Sequence, residues 1–236
     1  MTVYSAGCGV SGKATDAAIN QALGRLRLPT VGCCVGDGRP RFRPYSAGVS
    51  GIQPVELQAG PYRLRLATEA DVDAAFEMSR DPAIRQWYST AIVDRESARR
   101  WLLRGSDWSG GTHATWVVAD GPDQLVGSFS IVRIDRLDQL TALMSYRTAP
   151  WARNRGVASC ALSAATRWAV DVLSLERLEL VHAVANPGSC RVAEKAGYLL
   201  EGVSRRGFRD DAGRRWNSHL HARLADDPEP APIPAS

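Results

Sequence analysis

Arg153-Asn154-Arg155-Gly156-Val157-Ala158 stands between a short strand-like segment and a long amphipathic run. These types suit an anion-binding turn. A glycine-relaxed bend lets successive backbone N–H groups converge at a helix N-terminus, where four donors lack intrahelical partners and the helix dipole favours negative charge. Arg153 and Arg155 add positive charge beside it. Taken alone, a basic helix start in an unrelated enzyme would read the same way. A second constellation is Asn186-Pro187-Gly188-Ser189, in which Asn caps a helix, Pro takes its permitted first position and Ser189 is exposed. Of the four histidines, His182 alternates on a strand and faces either the core or a cleft. His219 and His221 share one face of a terminal strand. With no third ligand at suitable spacing, that pair is not expected to hold a metal. Cys8 with Cys33-Cys34 lacks the C-x-x-C reach and has no His nearby, so no metal is expected there either.

The elements that must position these residues follow from periodicity. Tyr62-Arg63-Leu64-Arg65-Leu66 alternates with period two and predicts a first strand. Thr68 with Asp71 offers a capping-box-like start for a helix through Ser79, and Asp94 caps a second helix carrying Ala98, Trp101 and Leu102. Thr115 to Ala119, Leu125 to Ile134 and Leu140 to Thr148 are strand-like. The long helix from about Gly156 to Leu173 is expected to bury Ala161, Leu162, Ala165, Trp168, Ala169 and Val172. A strand at Leu178 to Val184, a short helix from Ser189 to Ala196 and strands near Val203 to Phe208 and Trp216 to Leu224 complete the chain. The order β-α-α-β-β-β-α-β-α-β-β predicts a mixed sheet of mostly antiparallel hairpins with a single helical crossover.

Composition bounds the function. Within 236 residues, 44% are hydrophobic and seven are Trp, enough for a real core. A net charge of +4, from 29 basic and 25 acidic residues, suits a phosphorylated cofactor and is too small to imply nucleic acid. No apolar run is long enough to span a membrane, and the N-terminus has no secretory pattern. The five cysteines are an odd number, and Cys160 and Cys190 fall inside predicted helices, which reads as buried thiols in a reducing, cytoplasmic setting. Residues 1–54, dense in Gly, Pro, Ser and Arg, read as a loosely attached extension in which only Asp16 to Leu28 has helical character. Residues 55–225 read as the folded domain and Asp226 to Ser236 as a flexible tail.

The element order, with an R-x-x-G-x-A loop on the crossover helix, resembles the GNAT superfamily of N-acetyltransferases, and within it the branch of ribosomal-protein N-terminal acetyltransferases. Tyr146-Arg147-Thr148-Ala149-Pro150 is similar to the family's Y-x-L-x-P. Asn186 to Ser189 with Ala193 to Tyr198 is similar to its N-x-x-S followed by x-E-K-x-G-F/Y, and Glu201-Gly202 with Arg205-Arg206 and Asp210 to its E-G-x-x-R region. Asn154 replaces a common Gly, Thr148 a Leu and Cys160 a Glu, while the first 54 residues have no counterpart.

The resemblance implies an α/β fold of the α+β type: a mixed, mostly antiparallel central sheet with helices on both faces and a splay between the fourth and fifth strands. It implies acetyl-CoA as acetyl donor, held by Thr148, Arg153, Asn154, Arg155, Gly156, Val157, Ala158 and Asn186. The acceptor would be a primary amine, on a protein N-terminus or a small molecule, attacking directly in a ternary complex of a monomer or homodimer. No nucleic acid, membrane or metal is implied. Ser189 resembles the serine that serves the departing thiolate, and a hydroxyl could only relay to it or hydrogen-bond it. Tyr198 is the other hydroxyl candidate, and Glu77, Glu201 and Asp210 are candidates for the base, with His113, His182, His219 and His221 also available and Glu201 carried forward. A backbone N–H near Tyr146 to Thr148 is expected to meet the oxyanion, while the Tyr146 side chain reads as a core aromatic. A second reading is a CoA-binding regulatory or scaffold module with weak turnover.

Overall fold

The computed structural model describes residues 51–88 and 92–231. The helical segment expected at Asp16 to Leu28, with Cys8, Cys33 and Cys34, lies outside the described residues, as does most of the expected extension. A hairpin of β1 (Leu57–Ala59) and β2 (Tyr62–Arg65) opens the domain. A 3-10 turn (Glu69–Asp71) then leads into α1 (Val72–Arg80), α2 (Pro82–Trp87) and α3 (Arg95–Ser106). Three strands follow, β3 (His113–Asp120), β4 (Gln124–Asp135) and β5 (Thr141–Thr148), then α4 (Val157–Asp171), β6 (Arg177–Ala183), α5 (Pro187–Lys195), β7 (Leu199–Arg209) and β8 (Arg215–Leu224). The eight strands form one sheet in the order β1-β2-β3-β4-β5-β6-β8-β7. Every pairing is antiparallel except β5 with β6, which α4 connects as the crossover.

Alternation along β3 shows why helices cover both faces. Trp116 and Val118 join the core beneath α4, with Phe129, Leu162 and Trp168. Val117, between them, points the other way into a second core built from Val72, Met78, Ile84, Ala98 and Leu102 of α1, α2 and α3. The mixed sheet expected from the sequence is therefore present, flanked by helices.

The helix starts follow their caps. Asp71 accepts from the Thr68 N–H at 2.7 Å and from its hydroxyl at 3.1 Å, and Asp94 accepts from the Ser97 N–H at 2.7 Å. Asp71 also takes a bidentate pair from buried Arg65 at 2.8 and 2.9 Å. Burial pushes the Asp71 carboxyl up, but Arg65 and Thr68 outweigh it and hold its pKa below the ordinary value.

Two short elements go beyond the expected order. β1 is only three residues, too short to show a period, and α2 forms because Asp81 accepts from the Ile84 N–H at 3.0 Å with Pro82 in the first turn. Val172, expected on the buried face of the long helix, is 60% exposed, because α4 ends at Asp171 and the chain turns away. Ile52, ahead of the expected domain start, is buried in the core and donates its N–H to the Trp108 carbonyl. In the expected tail, Glu229 pairs with buried Arg223 at 3.1 Å. Among the described residues, no helix is long and apolar enough to cross a membrane.

Candidate active site

The parallel ladder between β5 and β6 runs only from Thr141↔Arg177 to Met144↔Leu180. Beyond Met144 the strands part, and a cleft of about 570 Å³ opens between Tyr146–Thr148 on one side and Leu180–Ala183 on the other. This is the splay expected between the fourth and fifth strands, shifted by one in number because β1 precedes them. Both helices that follow these strands start at the cleft, α4 after β5 and α5 after β6.

The start of α4 is built from backbone. Asn154 (φ 62°) and Gly156 (φ 76°) both take the left-handed conformation, which Asn tolerates and Gly adopts without a steric penalty. Gly156 is the N-cap and gives the first turn no side-chain cap, so no side chain at the cap occupies the N–H groups of that turn. The Tyr62 hydroxyl donates to the Arg155 carbonyl at 2.6 Å and pins the loop from beneath. The guanidinium groups turn to protein carboxylates: Arg153 pairs with Asp81, and Arg155 with Asp120 at 2.6 Å. Cys160, one turn into α4, is buried, and burial pushes its thiol pKa up, away from reactivity.

The start of α5 works through side chains. Ser189 is 9% exposed and accepts a hydrogen bond at 2.9 Å from the hydroxyl of Tyr146, which reaches across the cleft from β5. Burial pushes the Tyr146 pKa up despite that bond, so the phenol is a neutral donor over the physiological range. Tyr146 is thus a cleft residue as well as a packing one. Its main chain is engaged too: the Tyr146 N–H donates to the Tyr88 hydroxyl at 3.1 Å, and that hydroxyl donates to the Tyr146 carbonyl. Tyr88 therefore occupies the free edge of β5 where the oxyanion donor was expected. Beside it, the Arg147 guanidinium lies over the rings of Tyr88 (4.5 Å) and Trp101 (4.8 Å), and its Nε has no hydrogen-bond partner.

Thr148, Arg153, Asn154, Gly156, Val157, Ala158, Asn186 and Ser189 all line the cleft. Arg155, expected with them, does not line it: its carbonyl accepts from Tyr62 and its guanidinium pairs with Asp120. Tyr198 and Glu201 do not line it. Tyr198 is 1% exposed, with its hydroxyl 2.7 Å from Thr166 Oγ1 inside the core. Glu201 forms a two-pronged pair at 2.6 and 2.9 Å with Arg177, at the start of β6, and that hydrogen bonding holds its pKa down. Glu77 pairs with Arg80 at the surface, and Asp210 is spent on Trp216 Nε1 at 2.8 Å and on Arg214. Among the described residues, no carboxylate lines the cleft, whereas Arg147, Arg153, Arg191 and Lys195 do, and of the histidines His182 does.

Three histidines meet beneath α5. His182 lies opposite His219 in the β6–β8 register, and His221 is two residues further along β8 on the same face. Cys190 comes down from α5 to place Sγ 3.1 Å from His219 Nδ1 and 3.6 Å from His182 Nε2. His219 and His221 thus stand beside two further donor-bearing side chains, from a neighbouring strand and a helix, which spacing within one strand cannot reveal.

The family model described as an acetyltransferase (GNAT) domain matches residues 62–199. That is more than half of the chain, and the chain belongs to this family. The probable N-acetyltransferase YjcK of Bacillus subtilis (strain 168) is 31% identical over 97 residues, 41% of this chain and 52% of that protein. The match thus spans about half of that relative's length. Among solved structures, the ribosomal-protein-S5-alanine acetyltransferase from Vibrio fischeri aligns with a TM-score of 0.64 at 20% identity, covering 75% of this chain and 100% of the other. RimJ of Mycobacterium smegmatis in complex with CoA-disulfide gives 0.63 at 21%, covering 76% and 89%. The spermidine N-acetyltransferase from Vibrio cholerae in complex with CoA and spermine gives 0.61 at 19%, covering 70% and 96%. At these identities the likeness is one of fold.

Proposed function

We propose that the protein is an N-acetyltransferase that moves the acetyl group of acetyl-CoA to the α-amine of a polypeptide N-terminus, in the manner of the ribosomal-protein branch, by direct attack in a cytoplasmic ternary complex. The observation that carries the choice of acceptor is the absence of any carboxylate among the described residues lining the cleft. An α-amine, with a pKa of about 7.7–8.0, is roughly one-third neutral near pH 7.5. It needs little help to become a nucleophile. A side-chain or polyamine nitrogen near 10.4 is about 0.1% neutral at the same pH and wants both a base and an anionic partner. Arg147 at the acceptor end would repel such a polycation.

Acetyl-CoA would supply an activated thioester, and the residues fit it. The uncapped first turn of α4, with its left-handed Asn154 and Gly156, suits a diphosphate held by main-chain N–H groups. Thr148 and its neighbours on the parted edge of β5 suit an extended amide-bearing arm. Ser189 accepts from Tyr146, which leaves its own proton free to point at a departing thiolate. With its pKa raised, Tyr146 polarises Ser189 as a donor and does not itself ionise. The Tyr88 hydroxyl must yield the Tyr146 N–H before that donor can serve an oxyanion.

The test is thiol release from acetyl-CoA against a panel of short peptides with free N-termini, the same peptides N-terminally blocked, and spermidine. Turnover on free N-termini alone is expected. Turnover on spermidine alone would overturn the acceptor assignment. Calorimetric CoA binding with no turnover on any amine would favour the scaffold reading, which the missing carboxylate also supports.

A further inference from the structure

We propose that His182, Cys190, His219 and His221 form a closed tetrahedral site for one divalent transition-metal ion of the zinc class. Their four donor atoms all lie within 4.8 Å of one another. A tetrahedral ion with bonds of about 2.0–2.1 Å to nitrogen and 2.3 Å to sulfur separates its ligands by about 3.3–3.6 Å. The two Cys190–imidazole separations, 3.1 and 3.6 Å, already bracket that range. Closing the longest separation, up to 4.8 Å, takes a contraction of about 1.2–1.5 Å, within the reach of small side-chain rotations.

The chemistry of the set is selective. Three imidazoles and a thiolate are borderline-soft donors that favour zinc or its neighbours, and no carboxylate is present to attract magnesium or calcium. The rings are held ready. His182 donates Nδ1–H to the Ala183 carbonyl at 2.8 Å, which turns the lone pair of Nε2 towards Cys190. Backbone orientation of this kind is the usual support of a ligating histidine. His221 is 1% exposed, and neither of its ring nitrogens has a hydrogen bond of ordinary geometry, although the Tyr198 backbone lies near. A buried imidazole without partners is costly, and a metal bond removes the cost.

Four protein ligands leave no open position, so the ion is structural. It joins β6, β8 and α5 at a single point. Cys190 directly follows Ser189, so the ion would fix the start of α5 and with it the hydroxyl that Tyr146 addresses.

The experiment strips the full-length protein with a chelator, then titrates it with cobalt(II) and zinc(II) in the absence of acetyl-CoA, so its outcome does not depend on acetyl transfer. One equivalent of cobalt is expected to give the intense visible bands of a tetrahedral ion and a near-ultraviolet thiolate charge-transfer band. One equivalent of zinc is expected to raise the thermal midpoint by about 5–10 °C. Cys190→Ser should lose the charge-transfer band, and His219→Gln should lose the midpoint rise, with circular dichroism checking that each variant folds. If Cys190→Ser fails to fold, His219→Gln carries the test alone. A protein that binds no cobalt, or one whose spectrum and stoichiometry survive both substitutions because the ion sits elsewhere, would overturn the site.

Discussion

Two helices begin at the same cleft and use opposite means. α4 meets it with backbone: left-handed residues, a glycine cap, small side chains in the first turn, and arginines turned to Asp81 and Asp120. α5 meets it with side chains: Ser189 on the cleft side, joined to Tyr146, and Cys190 on the sheet side among three histidines. The turn and cap of the first arrangement are a property of a short stretch of chain. The second exists only because strands from distant parts of the sequence are brought beside the helix. On the proposed reading, a diphosphate, large and multiply charged, would be matched by several main-chain donors and a dipole, whereas a departing thiolate is one atom and would need one placed hydroxyl.

The largest effect that would sharpen this contrast concerns Ser189. If Ser189 has the proposed role, Ser189→Ala should lower kcat about 100-fold while leaving CoA affinity nearly unchanged, because the hydroxyl would serve a charge that develops only as the thioester breaks. Tyr146→Phe, which acts through Ser189, should cost about tenfold. The double variant should be no worse than Ser189→Ala alone, since the two lie in one hydrogen-bond chain. Steady-state kinetics on all three variants decides it. Additive losses would mean that Tyr146 and Ser189 act separately.

Gly156→Val strikes the other helix. A β-branched residue at φ 76° costs about 2 kcal/mol, so CoA should bind roughly 30-fold more weakly by calorimetry while the fold persists. Undiminished affinity in a folded variant would show that the first turn of α4 does not hold the ligand by its main chain. Tyr62→Phe should act in the same direction but less. It removes the hydroxyl that pins the Arg155 carbonyl and should weaken CoA about fivefold, a lost hydrogen bond of roughly 1 kcal/mol.

The same division explains what could be read from the sequence. The strand periods, the caps at Thr68 and Asp94, and the α4 start are local, and glycine, asparagine and capping residues announce them within a few positions. Tyr146 was legible as part of a motif but not as a donor, because its partner Ser189 is 43 residues away. His219 and Cys190 are 29 residues apart and meet only through the β6–β8 register and the docking of α5. Tyr198 and Glu201 misled for the converse reason. Their motif places them beside the cleft in sequence, but one points into the core at Thr166 and the other is held by Arg177. β1 and α2 were missed because they are too short to carry a period.

The smallest expected effect bears most directly on the backbone reading of α4. Arg155 is the residue that a charge-based account would choose as the phosphate clamp. Its side chain is 47% exposed and paired with Asp120, and its carbonyl is held by the Tyr62 hydroxyl. An exposed ion pair contributes about 0.2–1 kcal/mol, and breaking it releases Asp120 towards solvent without moving the loop. Arg155→Ala should therefore change CoA affinity by less than about threefold at moderate salt, with the fold and kcat intact. The substitution keeps the backbone carbonyl that Tyr62 addresses and every N–H of the first turn. Calorimetry at two ionic strengths separates the alternatives, because a guanidinium bound to phosphate loses its contribution as salt screens it, whereas an array of N–H donors at short range is much less affected. A tenfold or larger loss that fades at high salt would move the anion site from the backbone to the side chain, and the contrast between the two helices would then be one of charge against hydroxyl.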